Sequence, residues 1–421
     1  TRLRPPTAGP IIRALLLFQP TMTAPLQGIR IVDMSAVFSG PMATALLADQ
    51  GAEVIKVEAP EGDTTRFIGP AKGDLAASFV AANRNKRNLA LDLKSPDALP
   101  VLHALLARAD VLVENFRPGV MARLGLADAD LAARFPSLVR VSITGFGADG
   151  PRGQDKAYDA VIQAVGGLAC SQRDPATGAP VILASTVSDK VTALTAAQAI
   201  TAALFARARD GGRGRRVEVA MLDATVAFQW PDAMYNHVWV DEPPAPFPEF
   251  GATQRPWRTA DGYVATMVPQ QAEFQALCNA LGAPGLTQDA RFASQVARYH
   301  HGPEVRAALE PLFAQVDTAT LERRCREEGA ALGRINERTD LLADPQVLHN
   351  GCAVMVPNGD GERVRVARSA ARFDGQAQSP TRGAAHLGEH SIEVLQELGF
   401  DQARIDALLA SGAVRRPKVV G

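Results

Sequence analysis

A serine–aspartate pair, Ser188–Asp189, opens the long helical run VSDKVTALTAAQAITAALFARARD and is the most chemically pointed feature of the chain. A carboxylate at a helix start meets unpaired N–H groups and the positive end of the helix dipole, so it stays ionised. The same pair is the ordinary make-up of a helix N-cap, and the two roles are compatible. Upstream, KAYDAVIQAVGGL brings Lys156, Tyr158 and Asp159 together. A tyrosine with a pKa near its usual value of about 10 is a poor base at neutral pH, while its hydroxyl can orient a carboxylate. Asp159 can hold a helix start or pair with Lys156. The run NRNKRN holds Arg84, Lys86 and Arg87, which suit phosphate groups or, more ordinarily, a solvated face.

Metal chemistry finds no foothold. Cys170, Cys278, Cys325 and Cys352 lie far apart without C-x-x-C or histidine spacing, so neither a zinc site nor a disulfide framework is implied. His386 and His390 in AHLGEHS read as a helix-capping segment, and the other five histidines show no ligand spacing. The first turn, DMSAVFSGPMA, has no G-x-G-x-x-G, which argues against a nicotinamide enzyme.

These groups must be positioned by a chain of 421 residues, 47% apolar and 21% charged, long enough for two cores. With 44 basic against 45 acidic side chains, no net field recommends nucleic acid or an anionic membrane as partner, and a small molecule is expected. The cysteine usage fits a reducing cytoplasmic setting. Residues 1–21 are expected to be an extension outside the fold, because IIRALLLF is too short to span a bilayer and a fresh start appears at Met22.

From Leu26 onward, short β-rich runs alternate with helical ones: GIRIVDMS, EVIKVEAP, NLALDL, VLVENF and LVRVSITGF are expected strands. Strand–helix–strand succession implies parallel pairing with right-handed crossovers, hence an α/β fold with a Rossmann-like large domain. That domain is expected over 22–225, completed by 345–421 through CAVMVP, GERVRVARS and a final helix in EHSIEVLQELGF. The proline-rich stretch 226–255 reads as linker and loop, and 256–340 as a smaller α+β domain.

Several segments in order resemble the class III CoA-transferases, the family of formyl-CoA transferase, carnitine CoA-transferase and α-methylacyl-CoA racemase. They are LQGIRIVDMSAVFSGPMATALLADQGAEVIKVEAPEGD, NRNKRNLALDLK, ADVLVENFRPGVMARLGL, RVEVAMLDA and LGEHSIEVLQELGF, spread from about Leu26 to Gly399. The resemblance implies that Asp189 is a nucleophile forming an anhydride with the acyl group and then a thioester with CoA. It implies CoA contacts from Leu91, Lys94, Asn115, Phe116, Arg117, Arg123 and Lys156. The basic groups suit the 3′-phosphate and pyrophosphate, and Leu91 and Phe116 flank adenine. CoA enters as part of the substrate, with no permanently bound cofactor and no metal. An interlocked homodimer is implied as well.

Departures from the family pattern bear on specificity. Phe38 stands where formyl-CoA transferase has a glutamine, which makes the acceptor pocket more apolar, and Asp159, next to Tyr158, is also expected in the substrate pocket. Ala59 replaces a basic residue, and the loop over 247–253 holds only Gly251 where the family's is glycine-rich. Tyr158 occupies the position of the racemase histidine, favouring CoA transfer over α-proton exchange. The alternatives are a racemase or CoA-ester isomerase on the same fold and an inactive CoA-binding protein.

Overall fold

The β-branched runs form strands at the centre of a mixed α/β architecture. The computed structural model describes residues 24–174, 176–249, 255–358 and 361–417. The expected extension 1–21 and Gly251 lie outside the described residues. The main sheet comprises β1 (Arg30–Asp33), β2 (Glu53–Glu58), β3 (Lys86–Leu91), β4 (Val111–Glu114), β5 (Val139–Thr144), β6 (Arg216–Ala220) and β7 (Val414–Arg415). Their spatial order is β7-β3-β2-β1-β4-β5-β6. Neighbours from β3 to β5 pair in parallel, and β7 closes one edge antiparallel to β3. Strand order reverses at β1, which lies between β2 and β4. In open parallel sheets, ligands bind beyond the carboxyl ends of the strands at such a point.

The described residues divide into two compact units, one within 24–143, 196–217 and 354–417, the other within 144–195 and 218–353. This departs from the expected boundaries, since 144–195 and 218–225 group with the later stretch. Packing explains it: Gly166 lies against Thr225 and accepts a hydrogen bond from the buried Gln229 side chain. Helix α3 (Asp159–Val165) and α5 (Met221–Ala233) therefore belong together.

In the first unit, α1 (Ser39–Asp49) follows β1, and α2 (Ala98–Leu106) places Val101, Leu102, Leu105 and Leu106 in a core with Val32, Ile55, Leu89 and Leu112. The tail contributes Val394, Leu395, Ile405 and Leu408 to the same core. The expected final helix, Ser391–Glu397, is followed by a further helix, Gln402–Ala410, before β7. In the second unit, a three-stranded antiparallel sheet (Trp257–Arg258, Tyr263–Thr266, Leu332–Arg334) packs with helices Gln271–Ala280, Gly302–Ala314 and Thr318–Glu328. Trp257 stacks on Phe313 at 4.6 Å in its core.

Helix α4 (Val187–Arg209) buries Asp189, Ala193, Ala196, Ile200 and Ala203, a stripe at helical spacing. It is long and apolar enough to cross a membrane by length and composition, a test that core helices also pass.

The basic run NRNKRN meets neither expectation. Lys86 is 1% exposed, and its Nζ donates to Asp33 Oδ2 (2.9 Å), Pro41 O (2.7 Å) and Asn83 Oδ1 (2.8 Å). Arg84 pairs with Asp49, and Arg87 with Glu53, Glu393 and Glu397. All three guanidinium and ammonium groups are thus committed to carboxylates of the fold. Burial pushes the Asp33 carboxyl upward, but Lys86 and Lys56 outweigh it and hold the group well below the usual carboxylate range. Burial brings Lys86 down to about 8, so the pair is ionised at neutral pH.

Removing one partner of a fully buried ion pair strands the other, so Lys86→Met is expected to cost about 3–5 kcal/mol in urea unfolding. The depressed Asp33 pKa contributes stability that is complete above its unfolded value of 3.8 and is lost as pH falls below it. Unfolding free energy measured against pH should therefore decline steeply in that acid window.

Candidate functional site

At the carboxyl end of β1, residues 35–38 turn sharply before α1, and buried and half-buried side chains hold the backbone group by group. Ser35 N donates to Asp33 Oδ1 (3.0 Å), and Ser35 O accepts from Lys56 Nζ (2.8 Å). Asn115, just past β4, accepts from Ala36 N and donates to Ala36 O, both at 2.8 Å. Val37 N donates to Asp63 Oδ2 at 3.1 Å. The outcome is a β-branched residue at φ +68°. Such a conformation costs on the order of 1–3 kcal/mol and persists only where its surroundings enforce it. Phe38 is half-buried as the residue before α1.

The positions expected to hold CoA in this unit divide by exposure. Lys94, Arg117 and Arg123 are exposed, beyond the carboxyl ends of β3 and β4. Phe116 is half-buried against the core, and its N–H is held at 2.8 Å by Glu114 Oε2, a carboxyl pushed up by burial. Asn115 uses both its amide groups on Ala36, so its observed work is to shape the loop. Leu91 is a correction: its exposure is 0%, within the core opposite Val414, and it presents no face to an adenine.

In the other unit, Asp189 lies in the first turn of α4, buried at 7% exposure. The N-cap reading of Ser188–Asp189 is revised, because the helix begins at Val187 and both residues lie inside it. The N–H of Asp189 donates instead to Asp159 Oδ2 at 3.0 Å. Asp159, 9% exposed at the start of α3, accepts at Oδ1 from Gln163 Nε2 (2.5 Å). Gln163 in turn accepts from Leu183 N (3.0 Å) and donates to Ser185 O (3.2 Å). Ser188 Oγ is wholly buried without a hydrogen-bond partner. Tyr158 is 66% exposed and Lys156 is exposed, and among the described residues no ion pair joins Lys156 to Asp159.

Sequence reasoning passed over Gln163, Asp63 and Lys56. The first had a signal, the i, i+4 spacing of Asp159 and Gln163 on one helix face. The other two had none, because the turn groups they hold, Ser35 O and Val37 N, lie 21 residues from Lys56 and 26 from Asp63. Among the described residues, no group of three or more His, Cys, Asp or Glu is placed to hold a metal ion, and all four cysteines are free.

Comparison with known proteins gives a consistent family. The sequence profile of CoA-transferase family III matches residues 26–391. The chain is 34% identical over 390 residues to a succinate–glutarate CoA-transferase of Agrobacterium fabrum, covering 90% of this chain and 97% of the relative. It is 33% identical over 415 residues to a formyl-CoA:oxalate CoA-transferase of Streptomyces avermitilis, covering 93% and 100%. Among solved structures, a CAIB/BAIF family protein from Brucella suis aligns with a TM-score of 0.77 at 32% identity, covering 90% of this chain and 100% of that one.

The loop geometry makes two stability predictions. Asn115→Ala removes two hydrogen bonds of about 1 kcal/mol each and should lower the unfolding free energy by about 2 kcal/mol. Val37→Gly relieves the left-handed strain while adding backbone entropy to the unfolded chain, so it should stay within about 1 kcal/mol of the parent. Denaturant unfolding of both variants checks the pair.

Proposed function

The chain belongs to CoA-transferase family III, and on that premise we propose that it carries CoA from an acyl-CoA donor to a carboxylic acid through intermediates on Asp189. The observation that carries the reading is the Asp189 carboxylate in the first turn of α4, beside the helix's positive end. Two of its relatives are named as a succinate–glutarate CoA-transferase and a formyl-CoA:oxalate CoA-transferase.

In the proposed cycle, an Asp189 oxygen attacks the thioester carbonyl to form a C–O bond, and the tetrahedral intermediate collapses with cleavage of the C–S bond, releasing CoA thiolate and leaving a mixed anhydride. The thiolate attacks the aspartyl carbonyl and expels the donor acid, leaving an aspartyl-CoA thioester. The acceptor carboxylate displaces the thiolate to give a second anhydride. Thiolate attack on the acceptor's acyl carbon then releases the new acyl-CoA and restores Asp189. No step changes oxidation state, so CoA is both carrier and substrate. Each tetrahedral intermediate needs hydrogen-bond donors at its oxyanion. Arg117, Arg123, Lys94 and Lys156, all exposed cations, are the proposed contacts for the CoA phosphates, with Phe116 beside the adenine.

The half-buried phenyl ring of Phe38 favours an acceptor with a methylene chain over formate or oxalate, so succinyl-CoA with glutarate heads the acids to test. A homodimer belongs to the same reading, supported by the exposed Leu194 and Phe205 of α4 and by exposed Trp230 and Trp239, apolar surface that a second copy would cover. A cytoplasmic setting is proposed with it.

Mass spectrometry of CoA esters after incubation in D₂O with succinyl-CoA, a branched acyl-CoA and a panel of acids tests the reading. New thioester masses are expected, and Asp189→Ala should abolish them. Deuterium at the α-carbon without any new thioester would mean racemase chemistry instead. Phe38→Gln should shift the preference toward shorter, more polar acids, and an unchanged preference would remove that residue from the acceptor pocket.

A further inference from the structure

We propose that Asp159, supported by Gln163, is a positioning residue for the nucleophile: its carboxylate fixes the first turn of α4 through the N–H of Asp189 and so sets where the Asp189 side chain departs from the backbone. The inference rests on the assignment of Asp189 as nucleophile.

The argument begins from cost. A carboxylate at 9% exposure gives up most of its water, and such burial persists where hydrogen bonds replace hydration. Two of the replacements are a backbone N–H at 3.0 Å and a side-chain amide at 2.5 Å. The amide belongs to Gln163, 1% exposed, whose remaining capacity goes to Leu183 N and Ser185 O. One pair of side chains on α3 therefore ties down both the segment leading into α4 and the third residue of α4 itself. The tie grips the backbone of residue 189, from which the Asp189 side chain departs. A nucleophile held by its main chain has its angle of attack set before substrate arrives, and a displacement of about 1 Å at a reacting group costs on the order of 100-fold in rate.

The arrangement also commits the Asp189 amide. Its hydrogen points at Asp159, so it is not a donor for the oxyanion formed during attack, and those donors must come from elsewhere in the site.

Asp159→Ala, Asp159→Asn and Gln163→Leu separate positioning from mere folding. Each is assayed for CoA transfer from succinyl-CoA well below its melting temperature, and hydrogen–deuterium exchange is followed over 183–195. In Asp159→Ala, the Asp189 amide should exchange at least about tenfold faster, and kcat should fall on the order of 10–100-fold with KM for the acyl-CoA within about threefold. Asp159→Asn keeps an oxygen for the same N–H and should recover most of kcat. Gln163→Leu should fall between the two. Faster exchange with unchanged kcat would reduce Asp159 to a structural cap and overturn the proposal. So would an asparagine variant no better than alanine, because position would then not be what the residue supplies. If the parent chain transfers CoA to no acid, the transferase reading is what fails, and unchanged exchange in Asp159→Ala would separately remove the tie.

Discussion

The buried pair of Asp33 and Lys86 is the constraint around which the first unit is built. A carboxylate at 0% exposure and an ammonium at 1% are unsustainable alone in a protein interior, and each is made tenable by the other and by hydrogen bonds to neutral groups. Those groups come from α1, from the turn after β1 and from the segment just before β3. Thr44 on α1 donates to Asp33 at 2.7 Å, Ser35 donates from the turn, and Lys86 on β3 reaches the Pro41 carbonyl and Asn83. Lys56 on β2 adds a second cation and carries the tie onward to Ser35 O and Asp63. Satisfying the charge therefore fixes how β1, β2, β3 and α1 meet, at the strand end where the sheet order reverses. The strained Val37 follows from this, since its turn is gripped from three directions.

The second unit repeats the device on a smaller scale. Asp159 is again a buried carboxylate whose hydrogen bonds shape a turn of backbone, here the one that carries Asp189. In both places the charge acts on main-chain groups, which is how a short side chain controls the course of a whole segment. The cations expected to meet phosphate, Arg117, Arg123, Lys94 and Lys156, are exposed and free of such structural duty in the hydrogen bonds described. The buried basic residues of the first unit, Lys56, Arg66, Arg84 and Lys86, hold carboxylates of the fold.

Much of this was legible in the residues. The β-branched runs gave strands close to their observed limits, because a strand buried on both faces is apolar along its length, and α4 followed from its helical spacing. What failed has a common cause in distance along the chain. NRNKRN looks like a solvated charge run because the carboxylates that neutralise it are remote: Asp49 is 35 residues from Arg84, Asp33 is 53 from Lys86 and Glu393 is 306 from Arg87. β7, two residues long, carries no pattern of its own and exists only because β3 offers an unpaired edge. Leu91 was assigned to adenine by family resemblance, but the same apolar character that suits a ligand suits the core, and the core holds it. The unit boundaries moved because Gly166 is small enough to let Thr225 approach and its carbonyl accepts from Gln229, contacts without a sequence signature.

The account stands on a covalent intermediate at Asp189, and borohydride trapping tests it most directly. The protein is incubated with succinyl-CoA without an acceptor acid, reduced with borohydride, digested, and the peptide containing residues 187–195 is sequenced by mass spectrometry. Borohydride reduces an aspartyl thioester to the alcohol and leaves a free carboxylate alone, so homoserine at position 189, dependent on succinyl-CoA, is the expected result. An unmodified Asp189 in a sample that still exchanges CoA between acids, or reduction at Asp159 in its place, would contradict it.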